Sequence, residues 1–114
     1  MRMWAPLLVA LVACGSKEDA FPVADAGGDQ VVTPGVSIDL DGSASSDRDG
    51  RIKNYAWTLL SAPSASRSSF DGSGSTPAFT VDEIGRYVFS LVVTDDAGNA
   101  SYPDLVEVVA VTPA

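Results

Sequence analysis

The sequence predicts an all-β domain in which two antiparallel sheets of about seven strands in total pack as a sandwich. Two observations support this prediction. From Phe21 onward, apolar and polar residues alternate with a period of two, and no segment of useful length shows the 3.6-residue period of a helix. Clusters of Gly, Pro, Asn, Asp and Ser, the residues that turns prefer, separate the alternating segments at short intervals. The chain has 114 residues, which is enough for one such domain.

Four segments alternate clearly enough to be predicted as strands. In chain order they cover residues 36–40, 55–59, 87–93 and 104–111. In the last of them, Val106, Val108 and Ala110 share one face, whereas Val109 and Val111 lie on the other. The segment 61–77 is rich in Ser, Ala, Gly and Pro, and it predicts a long connection with a short edge strand at residues 68–70.

Two aromatic residues are predicted as structural core. Alternation places Trp57 on one face with Tyr55 and Leu59, as expected for the buried tryptophan of an immunoglobulin-like third strand. The alternative is that Trp57 stacks on a sugar ring. The segment 82–87 ends in Tyr87 and resembles the tyrosine corner of immunoglobulin-like domains, in which the hydroxyl bonds to backbone a few residues upstream. The alternative for Tyr87 is an ordinary cross-strand tyrosine.

Composition excludes several classes of function. The chain carries 15 Asp and Glu against 7 Lys and Arg, a net charge of −8, which is unsuited to binding nucleic acid. It has no histidine, so Ser–His–Asp triads and histidine metal sites are absent. A single cysteine permits no disulfide within the chain and no cysteine-rich zinc site. We therefore expect a protein that is not an enzyme.

Residues 1–13 have the composition of a signal peptide. Arg2 provides a positive charge, and an unbroken apolar run follows from Trp4 to Ala13. That run is about half of the ~20 residues that a helix needs to cross a bilayer. We therefore expect residues 1–13 to be removed from the mature protein.

The end of this run, Leu11-Val12-Ala13-Cys14, resembles the lipobox of bacterial lipoproteins. The resemblance implies that the Cys14 thiol receives a diacylglycerol, that cleavage precedes Cys14, and that the new amine is acylated. Residues 14–20 would then be a lipidated cysteine and a short polar tether. Without Arg2, the mature chain has 6 basic and 15 acidic residues, a net charge of −9. Gly15 after the cysteine, in place of Asp, favours the outer over the inner membrane.

Several motifs, taken in this order, resemble the PKD domain. They are P-V-A-D-A-G at 22–27, D-G-S at 41–43, D-x-D-G-x-I at 47–52, Y-x-W at 55–57 and V-T-D-x-x-G-N at 93–99. The resemblance covers residues 21–112 and implies an immunoglobulin-like β-sandwich that binds or spaces and has no catalytic activity. Trp57 departs from the family pattern, because Thr-Leu-Leu-Ser-Ala-Pro follows it where many members have an acidic, Gly-containing turn.

The resemblance also implies a candidate calcium site. Some PKD domains bind calcium near the D-x-D-G turn, which would make Asp47 and Asp49 carboxylate ligands, with Asp25 as a further one. Calcium takes about 6–8 oxygen ligands, and extracellular sites bind it with dissociation constants of about 10⁻⁴–10⁻³ M. The alternative is a solvated turn, because turns use Asp and Gly in any case. Asp95 and Asp96 allow the same two interpretations.

The sequence therefore predicts a lipid-anchored envelope protein whose PKD-like domain binds a partner or acts as a spacer. The expected partners are the membrane, through lipid on Cys14, and an envelope protein or polysaccharide. Polysaccharide binding is one alternative, and it depends on the aromatic residues not assigned to the core, Phe21, Phe70, Phe79 and Tyr102. Self-association is another alternative, for which the last strand offers a sheet edge.

Overall fold

The computed structural model of the chain describes residues 21–48 and 50–113. The predicted signal peptide 1–13, the tether 14–20 with Cys14, and Asp49 therefore lie outside the described residues. Six strands form within the described ranges: β1 (Gln30–Val32), β2 (Val36–Asp39), β3 (Ile52–Ser61), β4 (Ala78–Val81), β5 (Gly85–Asp95) and β6 (Asp104–Ala110). No helix within these ranges is long and apolar enough to cross a membrane.

The strands form two sheets, which confirms the predicted all-β sandwich. One sheet has four strands in the order β1-β6-β5-β3, and the other consists of β2 and β4. Strand β5 is antiparallel to both β3 and β6, and β2 is antiparallel to β4. Strand β1 is the exception, because it runs parallel to β6 with Val31 opposite Val109. The described part thus has six strands, one of them in a parallel pair, where about seven antiparallel strands were expected.

The four strands predicted from alternation are β2, β3, β5 and β6. The edge strand predicted at residues 68–70 is wrong, because this segment is a loop. There the Ser68 hydroxyl donates a hydrogen bond of 2.6 Å to the carbonyl of Thr80, and Phe70 packs against the core. The predicted free edge at the last strand is also wrong. Strand β6 has neighbours on both sides, and the edges of the larger sheet are β1 and β3.

The core lies between the two sheets and is built largely from the alternating residues of the long strands. Its buried apolar members are Ala26, Ile38, Leu40, Trp57, Phe79, Val81, Tyr87, Phe89, Leu91, Val93, Val106, Val108 and Ala110. On the opposite face of β6, Leu105 is exposed and Val109 is half-buried, so the two faces differ as the alternation predicted.

Aromatic rings join the two layers at the centre of the core. Phe79 of β4 makes edge-on contacts with Tyr87 and Phe89 of β5, at ring-centroid distances of 5.4 and 5.2 Å. Phe70 packs edge-on against Phe89 at 5.1 Å. Such edge-to-face pairs are the favoured aromatic geometry. Of the four aromatic residues left outside the predicted core, Phe79 is therefore part of it and Phe70 packs against it.

Candidate functional site

Three carboxylates from two separate parts of the chain lie close together beside the β5–β6 turn. Asp47 precedes β3, Asp95 ends β5 and Asp96 follows it, and one oxygen of each lies within 4.8 Å of the others. The backbone N–H of Asp96 donates a hydrogen bond of 3.1 Å to the carbonyl of Arg51, which ties the turn to the start of β3. The fold thus brings together acidic residues that lie far apart along the chain. We call Asp47, Asp95 and Asp96 the acidic cluster.

Asp95 has a structural role within the acidic cluster. It is buried, and one of its oxygens accepts hydrogen bonds from the backbone N–H groups of Ala97 at 3.0 Å and Asn99 at 2.8 Å. The Asn99 side chain donates a third, of 3.2 Å, to the other oxygen. Burial disfavours the charged carboxylate, but hydrogen bonds from Asn99 and Ala97 outweigh it and lower the pKa of Asp95. An ionised Asp95 therefore holds the β5–β6 turn.

The backbone of Gly50, which carries no side chain, lies close to the carboxylates of Asp47 and Asp96. A Cβ atom at this position would lie 2.6 Å from Oδ1 of Asp96 and 3.3 Å from Oδ2 of Asp47. Gly50 therefore leaves space beside the carboxylate oxygens of Asp47 and Asp96, which a side chain at residue 50 would fill. Carboxylate oxygens at this spacing are the donors that a hard cation such as calcium takes.

The three predicted calcium ligands do not form one group in the described part of the structure. Asp47 belongs to the acidic cluster, and Asp49 lies outside the described residues. Asp25 is not a member of the cluster; its carboxylate accepts a hydrogen bond of 3.0 Å from the backbone N–H of Gly27. The pairing of Asp47 with Asp95 and Asp96 was not foreseen. The available signal was the pair of adjacent aspartates in a turn that follows a long strand. Calcium binding at this end of the domain stays a prediction.

A calcium titration monitored by thermal unfolding tests this prediction on residues 16–114. At a free calcium concentration a hundredfold above the dissociation constant, binding stabilises the folded state by about 2.7 kcal/mol. For a domain of this size, the melting temperature is then expected to rise by roughly 10 °C. The rise should vanish in the double variant Asp47→Asn/Asp96→Asn and persist in Asp25→Asn. An unchanged melting temperature in about 10 mM calcium, which is a tenfold to hundredfold excess over such weak sites, would contradict the prediction.

The Tyr87 hydroxyl takes part in a second hydrogen-bond network, at the start of β5. Tyr87 is buried, and its hydroxyl accepts a hydrogen bond of 2.9 Å from the backbone N–H of Glu83. The same hydroxyl donates to the Asp82 carboxylate at 2.8 Å. A bond from the tyrosine hydroxyl to backbone four residues upstream is the geometry of a tyrosine corner.

Asp82 links this corner to the long connection before β4. Its carboxylate accepts hydrogen bonds from the Ser66 hydroxyl at 2.6 Å and from the backbone N–H of Arg67 at 2.7 Å. These two bonds, the Ser66 one first, hold the pKa of Asp82 well below its ordinary value of 3.8, although partial burial opposes them. The folded state therefore favours the ionised Asp82, so Asp82 contributes stability at neutral pH.

A stability-against-pH comparison of Asp82→Asn with the wild type tests this contribution. The carboxyl stabilises the fold above its unfolded-state pKa, near 3.8, and the contribution is lost as pH falls further towards the lower folded-state pKa. We expect Asp82→Asn to melt at a lower temperature than the wild type from pH 8 down to about pH 4, with the gap narrowing only below that. The control Asp39→Asn, at an exposed position, should leave the melting temperature nearly unchanged across this range. A gap that closes already near neutral pH would rule out this role for Asp82.

Comparison with known proteins identifies the kind of domain that carries these networks. The family model for the K319L-like PKD domain matches residues 26–109. The chain is 40% identical over 90 residues to the human dyslexia-associated protein KIAA0319, and 36% identical over 98 residues to the human low-density lipoprotein receptor-related protein 11. These alignments cover 76% and 85% of the chain, but only 8% and 19% of the relatives' own lengths.

Solved PKD domains resemble the structure over most of its length. The solution structure of the PKD domain from the KIAA 1837 protein is 33% identical with a TM-score of 0.64, covering 80% of this chain and 90% of that one. The crystal structure of the PKD1 domain of Vibrio anguillarum Epp is 27% identical with a TM-score of 0.56, covering 80% and 96% respectively. Similar domains thus occur in both human and bacterial proteins.

Proposed function

The chain belongs to the K319L-like PKD domain family, and from this premise we propose that it is a non-catalytic lipoprotein of the bacterial cell envelope. Lipid on Cys14 holds it on a membrane, and its PKD domain binds an envelope protein or polysaccharide, or acts as a spacer. The observation that carries the proposal is the sequence Leu11-Val12-Ala13-Cys14, which ends an apolar run just ahead of the domain. The residue after Cys14 favours the outer membrane.

A non-catalytic role agrees with how the described carboxylates are used. The Asp82 carboxylate accepts hydrogen bonds that fix the connection before β4, and the Asp95 carboxylate accepts those that fix the β5–β6 turn. The chain has no histidine that could activate one of its many serines. The polar groups therefore stabilise a rigid sandwich, which suits a module that presents a surface or keeps other parts at a distance.

The aromatic residues give little support to the polysaccharide-binding alternative. Of the four residues on which that alternative depends, Phe79 is buried and Phe70 packs against the core, so only Phe21 and Tyr102 are exposed. Trp57, the other residue considered for sugar stacking, is also buried. Binding through loops or through the outer face of the larger sheet is therefore the form that we favour.

Metabolic labelling with a radioactive fatty acid tests the anchor, with the full chain expressed in a bacterium that processes lipoproteins. The wild type should incorporate the label and sediment with membranes until detergent is added, because two or more acyl chains anchor a protein stably. Cys14→Ser should incorporate none, since its hydroxyl is not a substrate for the lipid transfer. The matched control Gly15→Ser keeps Cys14 and should label like the wild type. Equal labelling of Cys14→Ser and the wild type would exclude Cys14 as the acceptor.

A further inference from the structure

Exposed apolar side chains gather where the chain enters the domain. Phe21, Val23 and Tyr102 are 54%, 63% and 84% exposed. Val23 and Tyr102 line a shallow groove together with Pro22, Ala24, Pro103 and Asp104, and Phe21 precedes Pro22 directly. We call Phe21, Val23 and Tyr102 the end patch. A contiguous group of exposed apolar and aromatic side chains is typical of a contact surface.

Backbone and side-chain hydrogen bonds fix the end patch on the sandwich. The N–H of Val23 donates to the carbonyl of Ser46 at 2.7 Å, and the N–H of Ser46 returns a bond of 3.0 Å to Val23. Three residues after Val23, the N–H of Ala26 donates to the Asp104 carboxylate at 2.7 Å. The Val23 side chain is therefore exposed on an anchored segment, and its exposure follows from the fold.

The position of the end patch along the chain restricts what can reach it. Phe21 lies seven residues after Cys14, and seven extended residues span at most about 25 Å. If Cys14 is lipidated, the end patch is always held within that distance of the bilayer. Tyr102 lies just beyond the β5–β6 turn, so the acidic cluster is at the same end of the domain.

We propose that the end patch rests on the surface of the membrane that anchors Cys14, and so fixes the orientation of the domain on it. This inference depends on the proposed lipid anchor. Phe and Tyr suit the boundary between headgroups and acyl chains, since an aromatic ring is apolar and the tyrosine hydroxyl stays in water. The acidic cluster and the net charge of −9 repel anionic lipids, so the surface that fits is a zwitterionic one.

The orientation places the opposite end of the larger sheet outward. Strand β5 runs for 11 residues from Gly85 to Asp95, a length of about 35 Å. Ile84, which is 50% exposed, precedes β5 at the end away from the β5–β6 turn. Loops at the Ile84 end would then face away from the membrane, where a partner can reach them.

Fluorescence quenching by lipid tests the proposal with the full, acylated chain in phosphatidylcholine vesicles. Because Cys14 is the only cysteine and carries lipid, Ala100→Cys supplies a unique thiol for a polarity-sensitive fluorophore near Tyr102. A spin-labelled phosphatidylcholine should quench this fluorophore strongly. The same labelled chain with Phe21→Ser and Tyr102→Ser should lose most of the quenching. The matched variant Ile84→Ser, which removes an exposed apolar residue at the other end, should keep it.

The outcomes separate failure of the end patch from failure of the anchor. Mass spectrometry of the same samples reports whether Cys14 is acylated, and thermal unfolding confirms that the variants are folded. Acylated protein whose quenching is weak, or is unchanged in the Phe21→Ser/Tyr102→Ser variant, would overturn the membrane contact while leaving the anchor in place. The end patch would then be free for a protein partner. Protein without acyl chains that does not remain on vesicles would overturn both proposals.

Discussion

Replacing Trp57 by alanine is expected to lower the free energy of unfolding by about 3–5 kcal/mol. Trp57 is 6% exposed, and its indole N–H donates a hydrogen bond of 3.0 Å to the carbonyl of Gly74. Alanine would leave a cavity between the sheets and an unpaired carbonyl at Gly74. Since domains of this size are stable by only about 5–15 kcal/mol, the loss is a large part of the total. Urea unfolding of residues 16–114 measures it.

Trp57→Phe is the control for the Trp57→Ala experiment. Phenylalanine keeps an aromatic ring in the core but removes the indole N–H, so the loss should be clearly smaller than for alanine. If Trp57→Ala unfolded within about 0.5 kcal/mol of the wild type, as surface substitutions do, the core role of Trp57 would be disproved.

Replacing Gly72 by alanine is expected to lower the free energy of unfolding by about 1–3 kcal/mol, the usual result of overpacking. The carbonyl of Gly72 accepts a hydrogen bond of 2.8 Å from the N–H of Trp57, which draws this loop onto the edge of β3. A Cβ atom at Gly72 would overlap with the carbonyl oxygen of Trp57. The overlapping oxygen belongs to the Trp57 backbone, so the rotation of a side chain cannot relieve the overlap.

Gly28→Ala is the matched control for Gly72→Ala. Apart from the residues next to Gly28 in the chain, no atom of the described part lies within 4 Å of the position that a Cβ would take there. Alanine there should leave stability unchanged or raise it slightly, because it restricts the unfolded chain. Comparable losses of stability for both variants, measured by urea unfolding, would show that the close approach of Gly72 to β3 does not cause the loss in Gly72→Ala.

Four of the six described strands could be predicted from the sequence, but β1 and β4 could not. Strands β3, β5 and β6 have 10, 11 and 7 residues, enough for alternation to be seen. Strands β1 and β4 have 3 and 4 residues, too few to show a period, whereas β2, also of 4 residues, lies in an alternation that runs on to Leu40. The parallel pairing of β1 with β6 depends on tertiary contacts, which a local pattern does not contain. Phe79 was missed for the same reason, because it lies in β4.

The candidate sites also differ in how far the sequence predicts them. Tyr87 could be predicted because the tyrosine corner is local, joining residues four apart in the sequence. The acidic cluster joins Asp47 to Asp95 and Asp96, which only the pairing of β3 with β5 brings close. The motif at residues 47–52 therefore identified only Asp47 of the three, and Asp95 and Asp96 were predicted separately. The end patch likewise combines residues from the start of the domain with Tyr102.

The N-terminus of the mature protein tests the central claim most directly. The full chain would be expressed in a bacterium that processes lipoproteins, isolated from the envelope and digested, and its N-terminal peptide would be analysed by mass spectrometry. The lipid anchor predicts a peptide that begins at Cys14, with a diacylglycerol on the thiol and an acyl group on the amine. A mature chain that begins elsewhere, or that carries an unmodified Cys14, would contradict it.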